Sequence, residues 1–182
     1  MTNDYPAQRR DNMRHGLAEE GLDAVLITQP LNVTYLTGFT GESSFLVLAR
    51  DRAVLVSDQR FTEQILEECP GLDAAIRPPT QTIHQAAAEV LGKLGLVGVG
   101  FESHHLTVAE LEMLGELCKT VSWKGGRDRV ERLRAIKDES EVAAIREAVA
   151  AVRAGKVCVV DVRVATGYAA EATAAILQRS SG

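Results

Sequence analysis

The sequence predicts an α/β fold, a mixed β-sheet flanked by helices. Three observations carry that prediction. Apolar runs of strand length alternate with segments of helical spacing along most of the chain. The run Ala24-Val25-Leu26-Ile27 is apolar on both faces, as a strand covered on both sides requires. Residues 45–48 and 53–56, separated by Ala49-Arg50-Asp51-Arg52, read as a hairpin, which an all-parallel sheet would lack.

The elements run in order. After Pro6, Met13 and Leu17 stand four apart in a first helix that stops at Gly21. Strand 24–27 is broken by Pro30. Residues 32–44, NVTYLTGFTGESS, then read as a loop flanked by short extended pieces, because of Gly38, Gly41 and several hydroxyls. The hairpin leads into a helix over 58–68 with Phe61, Ile65 and Leu66 on one side and Pro70-Gly71 at its end. A short strand at 74–76 comes before Pro78-Pro79. Residues 82–94 place Ile83, Ala86, Ala87, Val90, Leu91 and Leu94 at helical spacing, and Gly95 supplies the stop. Beyond a strand at 97–101, Thr107 and Glu110 match a capping box that opens a helix burying Leu111, Leu114 and Leu117. A strand at 120–123 completes the alternation.

Composition shifts at Lys124-Gly125-Gly126-Arg127-Asp128-Arg129, which places a first domain at 1–126. Asp138 and Glu141 form a second capping box, after which Val142, Ile145, Val149 and Val152 trace an apolar stripe to Gly155. Residues 127–155 therefore read as a linker and the opening helix of a further domain, and 156–182 as an atypical tail. At 182 residues the chain is one domain plus a remainder.

Bulk properties exclude several classes. With 25 acidic against 20 basic side chains and a net charge of −5, no clustered basic face offers itself to nucleic acid or to an anionic membrane. Cys69, Cys118 and Cys158 lack the spacing of a zinc knuckle or a disulfide scaffold. The polar amino terminus lacks the roughly 7 to 15 apolar residues of a secretory signal, and no run approaches the roughly 20 of a membrane span. The expected location is the cytoplasm, with no nucleic-acid or membrane partner.

Catalytic chemistry is sparse. Adjacent side chains diverge on a strand or helix, so His104 and His105 share an ion only from a loop; they read as solvated or locally hydrogen-bonded imidazoles. There is no GxSxG elbow, P-loop or GxGxxG, and GLVGVG at 95–100 leads into a strand instead of opening a helix. No catalytic residue and no metal ligand is assigned.

Five segments, in order, resemble one family: the first helix into GLDAVLIT, NVTYLTGF, the hairpin into LVSDQRF, VGVGFESHHLT, and VERLRAIKDESEVAAIREAV. Together, over about residues 8–153, they are similar to the amino-terminal domain of the creatinase/prolidase family of pita-bread metallopeptidases. The resemblance implies a small ribonuclease H-like domain followed by a catalytic domain that hydrolyses Xaa-Pro bonds with two divalent metals (Mn, Co or Zn). In such enzymes the small domain gates substrate and contributes to oligomers, so the resemblance implies a homodimer and short proline-containing peptides. It also points to Asn32, Tyr35, Thr37, Gly38, Phe39, Asp58 and Arg60 as the residues facing the cleft. The structural alternative makes Tyr35 and Phe39 core, Gly38 a backbone requirement and Asp58–Arg60 a turn-fixing pair. The tail is faintly similar to the segment with the family's two metal-binding aspartates, with Asp161 first, Gly167-Tyr168 between and Glu171 in the second place. Its spacing is one residue short, and Arg163 and Ala174 replace a glycine and an arginine, so no metal is expected in this chain and the chain alone is expected to be inactive. Two other readings stay open: a standalone dimerisation or binding module, and the small domain of a creatinase.

Overall fold

The computed structural model describes residues 4–157. In chain order these form helix α1 (Tyr5–Glu19), strand β1 (Ala24–Ile27), α2 (Pro30–Thr37), β2 (Phe45–Ala49) and β3 (Ala53–Asp58). A single 3-10 turn at Gln59–Phe61 leads to α3 (Thr62–Glu68), β4 (Asp73–Arg77), α4 (Ile83–Lys93) and β5 (Gly98–Glu102). The described chain ends with α5 (Val108–Leu117), β6 (Ser122–Gly126), α6 (Arg129–Ala135) and α7 (Glu139–Arg153). The expected α/β architecture is present: one six-stranded mixed sheet in the order β4-β3-β2-β1-β5-β6, with helices on both faces.

Two apolar clusters sandwich the sheet. On one face, α1, α2, α3 and α6 bury Leu17, Leu36, Phe39, Ile65 and Val130 against Ile27, Leu46 and Leu55. On the other, α4 and α5 bury Ala87, Leu91 and Leu114 against Leu26, Val47 and Val99. The four residues of β1 are all fully buried, so each side chain serves one face or the other. Burial of a side chain of this size stabilises by about 1.5–3 kcal/mol.

Local sequence explains the helix ends. Thr107 and Glu110 close the capping box on α5, and Asp138 and Glu141 close that on α7. A third box, Thr82 with Gln85, opens α4.

The expectation for residues 32–44 is corrected, because Pro30–Thr37 is a helix. Gln29 accepts from the Asn32 amide at 3.0 Å and so caps its start, and Pro30 sits in the first turn, where its missing N–H costs nothing. Gly38 ends it at φ +83, a left-handed conformation that glycine adopts without strain. The polar stretch 124–129 holds the end of β6 and the turn into α6, whose Val130 and Arg134 are buried. On α7 only Ala148 is buried; Ile145, Val149 and Val152 are exposed.

Candidate functional site

Strand direction gathers the polar chemistry at one end of the sheet. β1 pairs parallel with β5 and β5 with β6; β2 runs antiparallel to both β1 and β3; β4 is parallel to β3. Five strands therefore point the same way, ending at Ile27, Asp58, Arg77, Glu102 and Gly126. From β1 the chain builds outward to β4 on one flank, then returns to lay β5 and β6 on the other. The gap beyond the carboxyl ends of β1 and β5 is thus a topological switch point, where open α/β sheets place ligands.

A cavity of about 330 Å³ lies there, lined among others by Val25, Leu31, Glu102, His105, Glu131 and Arg134. Glu102 is buried at its back. Its Oε2 accepts from the Thr28 and Gln29 amides at 2.7 and 2.9 Å, and its Oε1 from Asn32 Nδ2 at 2.6 Å. The same Asn32 nitrogen donates to Glu131 Oε1 at 2.6 Å, while Asn32 Oδ1 accepts from Arg134 Nη1 at 3.1 Å. This amide orientation is dictated by its partners, since the reverse would set the oxygen against two carboxylates. Burial pushes the Glu102 carboxyl pKa above its ordinary value, and nearby Glu131 adds to the rise. The donors from Asn32, Gln29 and Thr28 work against it. At the mouth, His105 Nδ1 lies 3.1 Å from Thr28 Oγ1, and His104 pairs with Asp128 at 3.3 Å. Glu102 is saturated by internal donors, so the cluster ties the β1–α2 junction, the end of β5 and α6 together.

A second polar corner lies at the ends of β3 and β4. Asp58 is buried; its Oδ1 accepts from the Arg60 amide and Nε, both at 3.0 Å, and its Oδ2 accepts from Arg60 Nη2 at 2.7 Å and Arg77 Nη2 at 3.3 Å. The Arg60 bonds hold the Asp58 carboxyl below its usual pKa. Arg77 also donates to the Gln81 carbonyl at 2.6 Å. The Arg60 guanidinium lies 5.2 Å over the Phe61 ring, yet its side chain is 70% exposed, so the corner presents a positioned cation to solvent.

The cleft residues suggested by resemblance fall into four places. Asp58 and Arg60 stand together in the corner, while Asn32 belongs to the buried cluster. Tyr35 packs elsewhere, its ring 4.2 Å beneath the Arg9 guanidinium and its carbonyl accepting from Arg9. Thr37 turns inward, donating to the Val33 carbonyl at 2.7 Å and accepting from the Phe39 amide at 3.0 Å. Gly38 is the helix stop, and Phe39 is fully buried, edge-on to Phe61 at 5.6 Å. Sequence reasoning does not single out Glu102, Glu131 or Arg134, and the one signal for them is a carboxylate ending the strand VGVGFE. Asp161, Gly167, Tyr168 and Glu171, the aspartate-like segment, lie outside the described residues, as does Cys158. Cys69 and Cys118 are buried free thiols.

Among the described residues, no group of three or more His, Cys, Asp or Glu is arranged to hold a metal ion. This donor set does not fit the divalent metals that the resemblance implies. No described helix is long and apolar enough to cross a membrane.

Comparison with known proteins gives these features a family context. Residues 9–136 match the Creatinase/Prolidase N-terminal domain. The N-terminal domain of the cytoplasmic peptidase PepQ from Mycobacterium tuberculosis H37Rv is 34% identical, covering 69% of this chain and 98% of that one, with a TM-score of 0.64. The Xaa-Pro dipeptidase from Bacillus anthracis superposes with a TM-score of 0.74 at 26% identity, over 82% of this chain and 41% of that enzyme. The uncharacterized peptidase YqhT of Bacillus subtilis (strain 168) is 29% identical over 138 residues, 76% of this chain and 38% of YqhT. The chain thus spans about two fifths of the length of the curated relatives it matches.

Proposed function

From its membership of the creatinase/prolidase N-terminal domain family, to which the chain belongs, we propose that it serves as the amino-terminal part of an Xaa-Pro aminopeptidase or dipeptidase. In this reading, metal-dependent hydrolysis of proline-containing short peptides is carried by a carboxy-terminal domain, with Mn, Co or Zn as its metal. The present residues gate substrate and supply subunit contacts, and the enzyme works in the cytoplasm. The observation that carries the reading is α7. It lies directly after the matched domain, it begins with a complete capping box, and it leaves Ile145, Val149 and Val152 exposed. A stripe of that kind needs a packing partner, and a catalytic domain beginning with α7 would provide it.

The reading is tested by incubating the purified chain with Mn²⁺, Co²⁺ or Zn²⁺ and an Xaa-Pro dipeptide. No turnover is expected; metal-dependent release of proline would overturn the assignment of catalysis to another domain.

Arg60 is the cleft residue with the best-defined chemistry for substrate. Its guanidinium is fixed by Asp58 and open to solvent, suited to the carboxylate of a short peptide. In an enzyme carrying both domains, Arg60→Ala is expected to raise KM for an Xaa-Pro dipeptide about tenfold, a loss of about 1.4 kcal/mol of binding, with kcat little changed. An unchanged KM would remove Arg60 from the cleft.

A further inference from the structure

We propose that Arg9 is a positioning residue: it sets the direction in which α7 leaves the sheet and, resting on the two-domain reading above, the placement of the carboxy-terminal domain. Arg9 stands on α1, yet its guanidinium serves two other helices. Nε and Nη2 donate to Asp138 Oδ2 at 2.8 and 2.6 Å, and Nη1 donates to the Tyr35 carbonyl at 3.1 Å. Its flat face lies 4.2 Å over the Tyr35 ring, and Glu141 brings a carboxylate oxygen to 3.7 Å from Nη2. One side chain thereby joins α1, α2 and the first turn of α7. The Arg9 and Asp138 side chains are only 15% and 23% exposed, so solvent screens this pair less than it does an open surface ion pair.

Little else directs α7. Residues 136–138 connect it to α6, and along its length only Ala148 is buried, so apolar packing contributes little to its direction. A helix of 15 residues is about 22 Å long, and a tilt of about 10° at Asp138 moves its far end by about 4 Å. That end carries the exposed Val149 and Val152, the side chains left for a following domain. Misplacing reacting groups by about 1 Å is enough to slow catalysis about 100-fold.

Asp138 divides its oxygens between two tasks. Oδ1 accepts from the Glu141 amide at 3.0 Å and from Ser140 Oγ at 2.6 Å and so caps the helix, while Oδ2 accepts from Arg9. Formation of α7 and its attachment are therefore separable: a change confined to Arg9 frees the helix without uncapping it. Arginine suits this place because its planar fork reaches Asp138, the Tyr35 carbonyl and the Tyr35 ring together. Lysine supplies the charge at a single point.

The test uses the full 182-residue chain and measures residual dipolar couplings of its backbone amides in a weakly aligned solution. In the wild type, Glu139–Arg153 is expected to share one alignment frame with the six strands. Arg9→Ala and Asp138→Asn are each expected to reduce the α7 couplings about twofold and leave those of the strands unchanged, with Arg9→Lys in between. Asparagine keeps an oxygen for the cap, so helical chemical shifts retained in α7 show that attachment was lost and folding was not. Should Arg9→Ala unfold, Asp138→Asn decides. An α7 that moves independently of the sheet in the wild type, or that stays aligned with it in both variants, overturns the proposal. Turnover by this chain alone would overturn the two-domain reading and leave the hold of Arg9 on α7 intact. In an enzyme carrying both domains, Arg9→Ala is expected to lower kcat/KM for an Xaa-Pro dipeptide about tenfold, and Arg9→Lys to recover part of the loss. An unchanged kcat/KM overturns the positioning role.

Discussion

Asn32→Ala is expected to destabilise the protein by about 3–5 kcal/mol, a large fraction of the stability of a domain this size. The side chain is fully buried and its amide is shared by three charged groups: it donates to Glu102 and Glu131 and accepts from Arg134. Removing it leaves two carboxylates facing each other without their common donor and withdraws a neutral acceptor from a buried guanidinium. Hydrogen bonds to charged groups contribute about 1.5–3 kcal/mol each, and such losses within one cluster are not additive. The urea midpoint should fall at an unchanged slope. A change below about 1 kcal/mol would show that Glu102, Glu131 and Arg134 rearrange around the gap at little cost.

Phe39→Ala is expected to cost about 3–5 kcal/mol through the cavity it leaves. The ring has no exposure and meets Phe61 edge-on, a geometry that adds to simple burial. The family resemblance sets this residue toward a substrate cleft, and the two roles predict different signatures. A core ring shifts the unfolding midpoint strongly; a cleft ring alters peptide binding and leaves stability nearly intact. Thermal or urea unfolding of the variant separates them.

How much structure is legible in the sequence depends on how local the signal is. The α5 and α7 starts are legible because a capping box is complete within four residues, and the hairpin because its strands lie beside each other in sequence. α2 is hidden: its start rests on Gln29, a weaker capping type, and its body carries Val33, Thr34 and Thr37, β-branched residues that lower helix propensity. Parallel pairing of β1 with β5 joins residues more than 70 positions apart, with no periodic trace in between. The same holds for the buried cluster. Asn32 meets its partners across separations of 70, 99 and 102 residues, and spacing carries no information at that range. Asp58 and Arg60 are two apart, which is why the sequence suggests that pair and it is found.

The anchoring of α7 bears on the order of events during synthesis. Arg9 on the first helix holds Asp138 at the start of the last through bonds of 2.8 and 2.6 Å, spanning 129 positions. Burial works against the Asp138 charge, but bonds from Ser140, Glu141 and Arg9 outweigh it and keep its pKa below the ordinary value. Its half of the contact is therefore ionised well into the acid range. On a ribosome, Arg9 emerges long before Asp138, and an amino-terminal domain folds as a unit ahead of later segments. The finished sheet and α1 then hold Arg9 as a fixed partner for Asp138 when the start of α7 emerges. An early translation product thereby awaits a late one.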